Sequence, residues 1–188
     1  MVQYIKVMIM RTIVINKNDA NQRVDKFLGK LFRSKMPKSL LYKYIRKKRV
    51  KLNGSRCAPE DILSEGDVLN LYINDEFFAD KDIEETPFNL DIIYEDENII
   101  LIDKPTGLVV HADSRGSKNT LINQILSYLK DKGEYLPQKE NSFTPALCNR
   151  IDKNTWGIVI AAKNAQALRC MNNIIKHHMV KKKYLALC

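Results

Sequence analysis

An α+β fold in two parts is predicted for this chain of 188 residues, and three observations predict it. Charge divides sharply: residues 1–57 hold sixteen Lys/Arg against two acids, a net +14, whereas residues 58–188 hold fifteen against twenty, a net −5. Short apolar runs bounded by Gly, Asn and Asp alternate with stretches of helical period, the pattern of strands and helices sharing small sheets. The apolar run Ile158–Ala162 enters through Gly157 from a polar turn, as a buried strand does behind a loop at a sheet edge. The expected organisation is a leader over 1–10, a basic domain over 11–74, an acidic linker over 75–89 and a second domain over 90–188.

In the basic domain, Val24, Phe27, Leu28 and Leu31 fall on one stripe and predict a helix across Gln22–Phe32. A second helix is expected over Ser39–Lys48, with Leu40, Leu41, Tyr44 and Ile45 inward and Lys43, Arg46, Lys47 and Lys48 outward. Val50–Leu52 reads as a strand leading to Asn53-Gly54, a tight hairpin pair. Leu63–Leu71 reads as a turn at Glu65-Gly66-Asp67 feeding another strand. The segment 74–87 is either a solvated connector or an acidic stretch that repels a polyanion. Beyond it, Leu90–Lys104 predicts two strands around an acidic turn. Helices are expected over Leu121–Lys130 and Ala165–His177, the latter with Ala167, Leu168, Met171, Ile174 and Ile175 buried and His177 and His178 near the negative end of its dipole. Lys132–Asn141 reads as an exposed loop.

A concentrated positive face is the footprint of a polyanion partner. An anionic membrane would attract it too, yet the sequence carries no long apolar span, secretory leader or lipidation signal, and Val7–Met10 is far too short to span. Membrane partners are therefore not expected. Cys57, Cys148, Cys170 and Cys188 are widely spaced and the three histidines lack ligand spacing, so no metal site is expected and free thiols in a cytoplasmic protein fit best. Lys104-Pro105-Thr106-Gly107 lacks the glycine spacing and ending of a phosphate loop, and its expected role is structural support of the site floor.

The most informative stretch is Arg150-Ile151-Asp152-Lys153-Asn154-Thr155-Trp156-Gly157. An R-x-D pair in a turn is either a solvated or structural ion pair, or a carboxylate held still for chemistry beside a guanidinium that lowers its proton affinity. Its surroundings resemble the pseudouridine synthases of the RluA type. The signature H-R-L-D-x-x-T-S-G-L-L-L-x-A-K is similar to Asn149–Lys163. A second element, N-K-P-x-G-L-V-V-H-P, is matched by Asp103–Ala112, and a third, V-x-K-x-Y-L-A-L-V, by Val180–Cys188.

That resemblance implies a mixed, mainly antiparallel sheet and an RNA-directed isomerisation with no cofactor. It implies Asp152 as the catalytic carboxylate, with Arg150, Thr155 and Tyr184 as substrate-binding residues. Elementary chemistry agrees: detaching a base builds positive charge at C1′, which an ionised carboxylate can stabilise or attack, and a uridine that must leave its stack needs an aromatic platform. Tyr184 is read either as that platform or as an ordinary strand aromatic. Asn149 and Trp156 depart from the signature's histidine and serine, and Trp156 either stacks on RNA or packs. Family members continue beyond this third element, so the resemblance implies a catalytic domain truncated at Cys188, and activity of this chain by itself stays open.

The basic region, from Arg23 to Leu71, resembles the S4 RNA-binding domain, with its R-x-D-x-x-L, basic helix, V-x-V-N-G and G-D-x-I/L-x-V pattern. The S4-like resemblance implies phosphate contacts from Arg46, Lys47, Lys48, Arg49 and Lys51, then Arg23, Lys26, Lys38 and Arg56. The first functional expectation is a pseudouridine synthase acting on RNA, with large-subunit ribosomal RNA favoured over transfer RNA, and monomeric when full length. The alternative is a non-catalytic RNA-binding fragment acting through the S4-like domain.

Overall fold

The computed structural model describes residues 10–78, 85–112 and 118–186, which form two compact units. The leader therefore lies outside the described residues except for Met10. Of the described residues, the first unit comprises 10–78 and 137–143, the second 85–112, 118–136 and 144–186.

In the first unit, four antiparallel strands run in the order β1-β4-β2-β3: β1 (Met10–Val14), β2 (Val50–Leu52), β3 (Ser55–Arg56) and β4 (Val68–Tyr72). Helices α1 (Val24–Phe32) and α2 (Lys38–Arg46) cover it. The predicted stripes form the core: Val24, Phe27, Leu28 and Leu31 meet Leu41, Ile45, Val50, Leu69 and Leu71, all buried. Fully burying each Leu or Phe contributes roughly 1.5–3 kcal/mol. Asn53 and Gly54 turn β2 into β3 with φ of 49° and 77°, the left-handed pair that a two-residue hairpin demands. Strand β1 was not expected. It is an edge strand with four of five residues exposed, so its side chains carry no alternation to read.

Two expectations fail at the borders of this unit. The acidic segment is not a free connector at its ends: Phe77 and Phe78 pack on the first core, with Phe78 edge-on to Phe32 and under Arg11. On the far side, the Thr86 amide donates to Ser127 Oγ at 3.0 Å in the second unit. The stretch 132–141 is not an exposed loop throughout. Tyr135 is buried, and residues 137–143 join the first unit, where Asn141 donates to the Val14 carbonyl at 2.8 Å and Ser142 Oγ donates to buried Asp19 at 2.6 Å. Backbone and carboxylate acceptors hold a segment whose composition reads only as polar.

The second unit carries the antiparallel order β5-β6-β8-β7, from β5 (Ile92–Glu95), β6 (Ile99–Lys104), β7 (Ala146–Leu147) and β8 (Gly157–Ala162). The two strands around an acidic turn, β5 and β6, are as predicted, with Asp96 accepting from the Asn98 and Ile99 amides. Helix α3 (Leu121–Asp131), capped by Thr120 Oγ1, buries Leu121, Ile125 and Leu129 against Ile100, Ile102 and Val159. Helix α4 (Ala165–Lys176) is capped by Asn164 and ends at His177, whose Nδ1 lies 2.8 Å from the Asn173 carbonyl. Its expected stripe is only partly covered: Ala167 is buried, but Leu168, Met171, Ile174 and Ile175 stay half-exposed, because no described element lies over them.

A half-buried ion network ties the sheet to α3. Glu95 accepts from Lys163 at 2.8 Å, from Lys132 at 2.9 Å and from Tyr128 Oη at 2.8 Å, and Glu134 pairs with both lysines. Burial pushes the Glu95 pKa up, but those donors outweigh it and hold the group at about 2, below its ordinary 4.5. A depressed carboxylate contributes stability above the unfolded value, lost as pH falls through the folded one. Melting of the second unit is therefore expected to weaken by roughly 3 kcal/mol between pH 4.5 and 2. In Glu95→Gln this acid limb should flatten, with a lower melting temperature at pH 7; an unchanged limb would remove Glu95 as its cause.

Candidate active site

The register of β6 with β8 builds the site. Lys104 at the end of β6 lies opposite Gly157 at the start of β8, so the Pro105-Thr106-Gly107 turn and the Ile151–Trp156 turn emerge side by side. Gly157 adopts φ 141°, a backbone region open to glycine and strained for other residues, and this bends the chain from the turn into the strand.

Lys104 locks the two turns together. Its side chain is fully buried, and Nζ donates to the carbonyls of Pro105 at 2.8 Å, Leu108 at 3.0 Å and Lys153 at 3.1 Å. Desolvation lowers its pKa, and the three carbonyls compensate the buried ammonium. The Gly107 amide adds a fourth tie, donating to the Lys153 carbonyl at 2.9 Å. The turn is thus tied to the Asp152 turn, and the agent is its own first residue, Lys104.

On the other side, Asn149 replaces backbone pairing. Its Oδ1 accepts from the Ile160 amide at 2.8 Å and its Nδ2 donates to the Ile158 carbonyl at 3.1 Å, extending the β7–β8 edge by one side chain. Ile151 packs on the second core, and the Thr155 amide closes the turn onto the Asp152 carbonyl at 3.1 Å. Asp152 is thus held from both flanks while its side chain faces solvent. Asn149→Ala removes one acceptor and one donor at this edge and is expected to cost about 1–2 kcal/mol. Urea unfolding measures that loss, and a change below a few tenths would show the staple to be idle.

Of the predicted substrate contacts, Arg150 is exposed and Thr155 half-buried in the same turn. Arg150 forms no ion pair with Asp152 among the described residues, so the expected pairing of the two is not made. Its charge instead bears on His111, from the second matched element, whose pKa is lowered first by desolvation and then by Arg150. Trp156 is 69% exposed, which removes the packing alternative. Tyr184 is 68% exposed and lies in residues 181–186, which form no strand, and no hydrogen bond joins it to the Asp152 turn among the described residues. The expected strand through Tyr184 fails because no described strand offers its backbone a partner; Leu187 and Cys188 lie outside the described residues. Burial raises the Cys148 thiol to about 11, so it is no ready nucleophile. No group of residues suited to holding a metal occurs among the described residues.

The basic candidates all lie in the first unit. Lys26, Lys38, Arg46, Lys47, Lys48 and Arg56 are exposed on or beside α1, α2 and β3. Arg49 stacks over Tyr44 at 5.0 Å and Lys51 over Tyr72 at 5.6 Å. Arg23 grips Asp25 through Nε at 3.1 Å and an Nη at 2.9 Å, because a carboxylate buried this far needs a charged partner.

Residues 98–188 match the family described as RNA pseudouridylate synthase. The chain is 38% identical over 186 residues to a protein of Mycoplasma capricolum named as an uncharacterized RNA pseudouridine synthase, covering 95% of this chain and 59% of that one. It is 31% identical to ribosomal large subunit pseudouridine synthase C of Buchnera aphidicola, over 97% of this chain and 56% of that one. With the Escherichia coli protein of that name the identity is 29%, over 95% and 54%. The chain thus spans little more than half the length of these relatives. The segment bearing β6, β8 and the Asp152 turn is thus similar to the RNA pseudouridylate synthase family.

Proposed function

We propose that this chain is part of an RNA pseudouridine synthase that isomerises uridine in large-subunit ribosomal RNA, with Asp152 as the catalytic carboxylate. The observation that carries this reading is the Lys104-locked turn, which holds an exposed carboxylate rigidly inside the family-matched segment. A carboxylate so held can stabilise positive charge at C1′, or attack it, as the N1–C1′ bond breaks. The base then turns and bonds through C5, and the C5 proton is lost while N1 gains one, so atoms balance without a cofactor. Arg150, Thr155 and Tyr184 are the proposed substrate contacts, and exposed Trp156 joins them as a stacking surface.

The first unit is proposed as an S4-like RNA-binding domain, with Arg46, Lys47, Lys48, Arg49, Lys51, Arg56, Lys26 and Lys38 on phosphates. Arg23 serves it indirectly through Asp25. Two relatives carry the ribosomal large subunit in their names, which supports that substrate class and a cytoplasmic place of action.

The test is carbodiimide mapping of unmodified large-subunit ribosomal RNA after incubation with the 188-residue chain, with filter binding on the same samples. New reverse-transcription stops at a defined uridine support the proposal. Salt-sensitive binding with no new stop would leave the chain an RNA-binding fragment.

A further inference from the structure

The first unit holds a cleft of about 600 Å³ between α2 and the chain running from β3 to Asp61. Its wall on α2 is Tyr42, with Arg46 one turn further on; Arg56 of β3 faces them, and Ile45 and Cys57 supply an apolar floor. These side chains combine in a way that a phosphate-tracking helix does not need.

Tyr42 is 44% exposed although its hydroxyl is tied down, donating to Asp25 at 2.8 Å. Asp25 is in turn gripped by both nitrogens of the Arg23 fork. The ring is therefore held in place before any ligand arrives, which lowers the entropy cost of using it as a platform. Asp61 is engaged inward, accepting from the Ala58 amide at 2.7 Å, so it holds the β3–Asp61 loop. Arg46 and Arg56 are exposed and pair with no carboxylate among the described residues. Glu60, on the rim, repels phosphate and leaves the guanidinium end as the place for one.

We infer that this cleft takes one unpaired nucleotide of an RNA, its base stacked on Tyr42 and its flanking phosphate bound by Arg46 and Arg56. The inference rests on the reading of the first unit as RNA-binding and adds to it a preference for RNA with an extruded base. A paired helix presents phosphates, 2′-hydroxyls and base edges but no free base face, whereas a single unpaired base offers a π-face that fits beside an aromatic ring in a pocket of this size.

The experiment compares three labelled RNA hairpins by fluorescence anisotropy with the full chain: one with a single-nucleotide bulge, the same hairpin with that bulge abasic, and the fully paired form. The bulged hairpin is expected to bind about ten-fold more tightly than its abasic twin, the size of one base–aromatic stack. Tyr42→Leu should erase that ratio and leave the paired hairpin's affinity unchanged, while Tyr42→Phe should keep most of it. Equal affinity of the unaltered protein for the bulged and abasic hairpins overturns the cleft's role while RNA binding stands. Binding to none of the three overturns RNA binding by this unit as well. Should Tyr42→Leu fail to fold, a photoreactive uridine at the bulge is expected to crosslink to Tyr42 in the unaltered protein, and crosslinking only to the second unit overturns the cleft's role.

Discussion

Asp152→Asn is expected to abolish pseudouridine formation, lowering the rate by at least about 10³-fold, while leaving RNA affinity within a factor of about two. The asparagine is isosteric, so the turn should keep its shape: the groups that hold it are the backbone carbonyls of Asp152 and Lys153, not the carboxylate. What is lost is the negative charge facing the ribose and the capacity to form a bond there. Single-turnover rates against salt-dependent binding curves separate the two effects. Comparable activity in the variant would end the assignment of Asp152, and loss of binding together with activity would mean that the turn had collapsed instead.

Lys104→Met is expected to cost about 3–5 kcal/mol and to disorder the same turn. Methionine fills much of the space of the lysine stem but donates nothing, so the carbonyls of Pro105, Leu108 and Lys153 lose their shared donor in a dry environment. Only Lys153 retains a partner, through the Gly107 amide. Urea unfolding followed on the second unit reads the loss directly. Activity should fall with it even though Lys104 touches no substrate in this reading, because the spacing between the two turns sets where Asp152 sits. A variant of unchanged stability would show that the buried ammonium is dispensable and that the register of β6 and β8 alone builds the site.

Helix and strand periodicity made most of the fold legible. The stripes of α1 and α2, the Asn53-Gly54 hairpin, the β5–β6 pair and the bounds of α3 and α4 follow from local rules that act over a few residues. The candidate site was legible as a motif: Arg150, Asp152 and Thr155 share one turn, as the signature requires. Its supports were less so. Asn149 reads as a departure from the signature, yet its amide does the work of a strand's backbone. Lys104 reads as a polar residue ending a strand, and only the pairing of that strand with β8 reveals it as a buried lock. Arg23, which the S4-like resemblance sets among the phosphate contacts, is held by Asp25, a partner only the tertiary structure shows.

By itself, then, the sequence determined the elements, the division of charge and the motif of the Asp152 turn, because propensity, period and motif are properties of neighbours along the chain. The tertiary structure alone decided which turns meet, which lysine is buried, where residues 137–143 attach and that Tyr184 joins no strand among the described residues. Each depends on pairing between segments far apart in sequence, where one register brings Lys104 opposite Gly157 and a shift of a single residue would turn every side chain to the other face.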